Sequence, residues 1–243
     1  MFDEPDFRPQ VRRGYQSWKF FKESTIQKVR ELKDQIILES GGDPVLAAAI
    51  AGAFAEEHDD LNWIDAAQSA ILSGYREKEL KDWYERSNLE DLIEEPGSLM
   101  RNIQKATGGN PFKNDVGPAN INLATAVHLV ENGWLMFNNF DLSTPYTSII
   151  RHLLTDAGAV KAVAADLRWG KAQLNELHFV FDRALPFEQE ALLVSWFNEG
   201  PRFKRRIHEN LIVNPYHAPQ PNDPGEVYLK NRRRIRRALG LVK

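Results

Sequence analysis

The chain has 243 residues, with 31 Lys and Arg, 34 Asp and Glu, and no Cys. Hydrophobic residues at 42% and charged residues at 27% are globular proportions that exclude a disordered chain, and the missing Cys excludes disulfides, thiolate metal sites, iron–sulfur ligation and a cysteine nucleophile. The net charge of -3 is unevenly spread: residues 202–243 carry eleven basic residues against three acidic ones, or +8, which leaves -11 for residues 1–201.

Met1 to Pro9 is acidic, with neither a basic n-region nor an apolar h-region. The expectation is a chain made in the cytoplasm without a signal peptide. No apolar run approaches the length of a membrane span, so no stable membrane insertion is expected. Residues 16–40 have the spacing of an amphipathic helix, ended by Gly41–Gly42. Asp43 is an N-cap and Pro44 a first helical residue for the next helix, Pro44 to Glu57. Six Ala among Val45, Leu46, Ile50 and Phe54 make that helix apolar almost all round, as suits a helix through the middle of a core.

Residues 61–105 read as two or three short helices, and residues 106–118 as a loop rich in Gly, Asn and Pro. A helix is expected from Ile121 to Val130, and short extended structure from Trp134 to Phe140. One or two helices follow over 147–178, then another from Phe187 to Phe197. Four Pro make 213–226 a loop or extended arm, and 227–239 reads as a basic terminal helix. Strand signals are weak throughout. The expected fold class is mainly α, one helical domain spanning 1–243 around the Ala-rich helix, with few short strands and a basic helix over 227–243.

The end of the Ala-rich helix carries the chemistry. Ile50, Ala53, Phe54 and Glu57 share one helical face, whereas Glu56 lies on another. A carboxyl that continues a buried apolar stripe is poorly solvated, so its pKa rises and it can serve as a general acid. The alternative is that Glu57 emerges into solvent as the helix ends.

Ile50-Ala51-Gly52-Ala53-Phe54-Ala55-Glu56-Glu57-His58 resembles the catalytic helix of goose-type lysozymes and soluble lytic transglycosylases, with Glu57 at the catalytic Glu. Gly117-Pro118-Ala119-Asn120-Ile121-Asn122-Leu123-Ala124-Thr125-Ala126 is similar to the family's second motif, with Asn120 in place of a Gln. Ser195-Trp196-Phe197-Asn198-Glu199-Gly200-Pro201 is similar to its third, with Phe197 in place of a Tyr. The three stand in the family's order over residues 50–201, and the wording of the first two resembles lysozyme-like bacterial toxins most. His58 in place of Ser and the lost Tyr hydroxyl are departures, and 61–105 has the look of an inserted helical subdomain.

The resemblance implies a lysozyme-like fold and a glycosidase acting on the glycan strands of peptidoglycan, by hydrolysis or transglycosylation. It implies Glu57 as the acid and a second carboxylate from Asp115, Glu56, Asp59 or Asp60. Asp115 leads because its loop lines the family's cleft; its other reading is a turn residue or N-cap. Asn120, Thr125, Phe197, Asn198 and Gly117 would meet substrate. Trp63, Trp134, Tyr146 and Trp196 would stack on sugars or pack in the core. The resemblance also implies an antibacterial effector, delivered to the periplasm or wall of a target cell by a specialised secretion system and countered by an immunity protein.

No cofactor is expected. Six scattered His without H-E-x-x-H spacing make a metal site unexpected. Thr107-Gly108-Gly109-Asn110 lacks the lysine of a phosphate cradle, and no G-x-S-x-G elbow is present. The rival function is a non-enzymatic helical protein whose tail, Lys230 to Arg237, binds nucleic acid or another anionic partner.

Overall fold

The computed structural model describes residues 19–60, 63–94, 109–137, 144–177, 181, 184–214 and 218–242. Among them the fold is mainly α, with twelve α-helices and a single two-stranded sheet. The central element is the Ala-rich helix, α3 (Pro44–Asp60). Asp43 starts it as expected: its Oδ1 accepts from the backbone N–H groups of Val45 (2.8 Å) and Leu46 (3.2 Å). Every Ala from Ala47 to Ala55 is buried. Small side chains let other helices approach closely all round. α1 (Glu23–Glu31), α2 (Lys33–Glu39), α9 (Asp156–Asn175), α10 (Pro186–Glu199) and α12 (Asp223–Ala238) all pack on α3. Gly52 permits one such approach, because a Cβ there would run into the Tyr228 ring of α12.

A second layer carries the sheet. α4 (Trp63–Gly74), α5 (Glu77–Glu85) and α6 (Leu89–Glu94) follow α3, and α7 (Leu123–Glu131) and α8 (Tyr146–Leu153) follow the sheet. β1 (Asp115–Val116) pairs antiparallel with β2 (Ile121–Asn122), with Asp115 opposite Asn122 and Val116 opposite Ile121. Gly117 (φ +74°) and Asn120 (φ +49°) adopt left-handed backbone in the turn between them. At Gly117 no other residue fits, because a Cβ would strike the Leu153 carbonyl of α8. Leu72, Leu80 and Leu92 of α4–α6 join the same hydrophobic core as α3, and these helices pack on β1, α7 and α8.

Several boundaries differ from the sequence expectation. The single helix over 16–40 is two, bent at Leu32 (ψ 1°), so that α1 packs on α3 and α12 while α2 packs on α3 and α9. α3 runs one turn further, to Asp60. Asp115–Val116 and Ile121–Asn122 are strands rather than loop and helix, because Asn122 caps α7 by accepting from the Ala124 N–H (3.0 Å). Trp134 to Phe137 is irregular, and the rest of the expected extended segment, 138–140, lies outside the described residues. α11 (Pro201–Val213) was not anticipated, although Pro at its first turn and buried Phe203 and Ile207 four residues apart signal it. α12 begins at Asp223, inside the expected loop, because Asn222 caps it from the Gly225 N–H (3.1 Å). Residues 95–105 of the expected inserted segment lie outside the described residues.

Candidate active site

Glu57 leaves the last turn of α3 toward the hairpin. Its Oε2 accepts a hydrogen bond from Asn120 Nδ2 at 3.1 Å. The left-handed backbone at Asn120 turns that side chain back onto α3. On the adjoining strand, Asp115 accepts from Asn122 Nδ2 at 3.3 Å. Burial pushes the Glu57 carboxyl up to about 8; the Asn120 N–H opposes this, and the negative charges of Asp115, Glu56 and Asp60 reinforce it. That direction favours the protonated form at neutral pH, and the residue is half-buried at the groove rather than out in solvent.

Two chambers meet at Glu57. One, of about 340 Å³, lies toward the hairpin and brings together Glu57, Asp115, Asn120, Thr125, Phe197 and Asn198. Six of the eight site residues expected from the sequence thus line one cavity. The other, of about 320 Å³, is lined by Glu56, Glu57, Asp60, Asn198, Glu199, Asn222, Asp223 and Pro224. Glu57, Asn198 and Glu199 belong to both, so the chambers adjoin at the acid, and together they are called the groove.

Glu56 lines the second chamber, 3.9 Å from Lys19 Nζ. Its Oε2 is buried without a hydrogen bond, and burial pushes its pKa up to about 7 against the pull of Lys19. Gly117 lines neither chamber; it serves the site through its backbone, seating the turn on α8. Asp59 turns away from the groove. Although burial works against its charge, hydrogen bonds from the Lys22 N–H (2.8 Å) and Thr25 Oγ1 (2.7 Å) keep its pKa below the usual value.

Trp134, Tyr146 and Trp196 do not line the groove, and the Trp63 side chain lies outside the described residues. Tyr146 packs against Tyr84 and Phe112. Trp196 is fully buried and donates its indole N–H to Asp166 Oδ1 at 3.2 Å. The aromatic side chains of the groove are instead Trp169 and Phe197, with Trp169 set edge-on against Trp196.

Asp166, Trp169, Glu199 and Arg202 escaped the sequence reading. Asp166 is 3% exposed in the middle of α9, and burial pushes its carboxyl up to about 7 against the Trp196 hydrogen bond. Its signal was present: an Asp inside the apolar run Val160–Leu167, one turn before Trp169, on a helix otherwise built for burial. Arg202 opens α11 from the hairpin-side wall.

Among the described residues no group of three His, Asp or Glu is placed to hold a metal ion, and no helix is long and apolar enough to cross a membrane. The arrangement can deliver a proton from Glu57 to a substrate laid along the groove, with carboxylates beside it to stabilise positive charge. No protein-family model, curated protein or solved structure matches the chain.

Proposed function

We propose that this chain is a glycosidase that cleaves the glycan strands of peptidoglycan, with Glu57 as general acid. The observation that carries the reading is the neutral Glu57 carboxyl at the meeting point of two chambers. Glycoside cleavage needs a proton on the leaving oxygen and stabilisation of an oxocarbenium-like centre. Glu57 supplies the first. Asp115, which lines the same chamber, supplies negative charge for the second. Chambers on both sides of the acid suit a polymer cut internally, with sugars bound on each side of the broken bond. Phe197, half-buried in the chamber wall, offers a face for a sugar ring, and Asn120 and Asn198 offer amides for polar substituents.

The choice of peptidoglycan, and the role of an antibacterial effector delivered by a secretion system and neutralised by an immunity protein, come from the resemblance of residues 50–201 to lysozyme-like toxins. Nucleic-acid binding by the tail has less support. Arg232 and Arg236 pair with buried Glu190, Arg234 pairs with Glu23, and the groove carries seven acidic residues against one basic residue, a balance that disfavours phosphates.

Purified protein incubated with peptidoglycan sacculi tests the reading, with the soluble muropeptides analysed. Wild-type protein releases fragments and a folded Glu57→Gln variant does not. No release by the wild type refutes the reading; activity retained in Glu57→Gln but lost in Glu56→Gln moves the acid one residue back.

A further inference from the structure

Asn120 costs the fold stability at two points. Its backbone (φ +49°) is left-handed, and among the described residues it is the one residue other than glycine to be so. Its Oδ1 is buried without a hydrogen-bond partner. A glycine would take the same backbone without strain and bury no such atom. The fold therefore does not account for the amide. Its one side-chain hydrogen bond among the described residues does: Nδ2 donates to Glu57 Oε2 at 3.1 Å. The two oxygens of Glu57 are unequal as a result. Oε2 is held by Asn120, whereas Oε1 accepts nothing from the described residues and, unlike Asn120 Oδ1, is not shut off from solvent. Glu57 lines both chambers, so Oε1 is the oxygen that meets them. A neutral carboxyl carries its proton on one oxygen only. A proton on Oε2 would meet the Asn120 N–H donor to donor, which leaves Oε1 to carry it.

We propose that Asn120 is a positioning residue, which keeps the transferable proton of Glu57 on Oε1, the oxygen that faces the chambers, and stabilises the carboxylate left behind. The inference rests on the glycosidase reading and deepens it. In the step, the Glu57 Oε1–H bond breaks and the proton passes to the glycosidic oxygen. The bond from that oxygen to the anomeric carbon breaks, its electron pair stays on the oxygen, and Glu57 becomes a carboxylate. A hydrogen bond to a carboxylate is stronger than one to a neutral carboxyl. The Asn120 N–H therefore contributes more in the transition state than in the ground state, and its effect falls on kcat. Asp115, Glu56 and Asp60 oppose the carboxylate by their charge, and the Asn120 hydrogen bond is the contact that favours it.

The test compares Asn120→Gly, which suits the backbone and removes the donor, with Asn120→Asp, which keeps the shape and turns the donor into an acceptor. Release from dispersed peptidoglycan sacculi is followed against substrate concentration and pH. Below the alkaline limb, Asn120→Gly is expected to lower kcat about tenfold with KM unchanged. Asn120→Asp is expected to lose more, because its carboxylate draws the Glu57 proton onto Oε2, away from the chambers. A role confined to shaping the turn gives the reverse order, since Asp fills the space of Asn. Independently of activity, infrared difference spectra across the Glu57 titration are expected to show the C=O stretch of the protonated acid at higher frequency in Asn120→Gly, where nothing donates to Oε2. An unchanged kcat in Asn120→Gly, an Asn120→Asp variant more active than it, a rise in KM alone, or an unshifted band overturns the proposal, while the glycosidase reading stands on release by the parent protein. A parent that releases nothing from sacculi overturns both.

Discussion

Glu57→Gln is expected to make the protein more stable, by an amount that depends on pH. The unfolded side chain titrates at its ordinary value of 4.5 and the folded one at about 8. Near pH 4 and below, the carboxyl is protonated in both states, and variant and parent differ little. As pH rises past 4.5 the unfolded chain ionises first, which favours unfolding of the parent; the loss grows until the folded carboxyl ionises at about 8, then levels off. At about pH 7 the gap is some two and a half pH units at about 1.4 kcal/mol each, or about 3.5 kcal/mol in favour of the glutamine. For a domain of this size that is a rise in Tm of about 7–14 °C. Gln has the same shape and keeps an oxygen for the Asn120 N–H, so packing contributes little to the difference. Urea denaturation of both proteins at about pH 4, 7 and 9 reads the curve directly. A difference that does not change with pH, or a variant less stable than the parent at neutral pH, refutes the argument, because either outcome means that Glu57 is ionised in the folded protein.

Three further outcomes follow from the geometry. Cleavage of sacculi is expected to fall tenfold per pH unit above about 8 as Glu57 loses its proton; Asn120→Gly, which removes the hydrogen bond favouring the anion while tolerating positive φ, moves that alkaline limb upward in a pH–rate profile. Gly117→Ala is expected to cost more than about 3 kcal/mol and to abolish activity, because the new Cβ meets the Leu153 carbonyl, whereas Gly133→Ala, with equally positive φ but open space, costs about 1 kcal/mol by thermal denaturation. Glu190→Ala is expected to cost about 3–5 kcal/mol in urea unfolding, because it strands Arg232, Arg236 and the Tyr228 hydroxyl around a buried, empty position.

The parts of the site that were legible in the sequence are those with local grammar. Asp43–Pro44 announced the start of α3, and the phase of Ile50, Ala53 and Phe54 announced which way Glu57 would point. The hairpin was not legible, because two-residue strands have no periodicity to detect; Asp115–Val116 and Ile121–Asn122 are fixed by the Gly117 turn seated on α8 together with the Asn122 cap of α7. Asp166 and Arg202 were missed for a different reason. Their meaning comes from what lies opposite them, and α9 and α11 reach the groove from positions more than a hundred residues after Glu57. Glu56 was read by phase as facing away from Glu57. It does, but the second chamber wraps around the end of α3 far enough to include both.

The division of charge along the chain has a structural cause. The basic tail and the acidic body neutralise each other across helix contacts: Arg232 and Arg236 of α12 meet Glu190 of α10, Arg234 meets Glu23 of α1, and Arg206 and Lys204 of α11 meet Glu199 and Glu176. Most of these cations hold helices around α3, and only residues such as Arg233 and Arg237 project to solvent. The same arrangement shapes the groove. The ladder from Arg206 through Glu199 to Asn222 ties α11 to the start of α12, and so places the acidic end of the tail, Asp223 and Pro224, rather than its basic run, at the chamber wall. Burial, reinforced by the negative charges of Asp115, Glu56 and Asp60, keeps the acid protonated, and of the tail's cations only Arg202 reaches the groove wall.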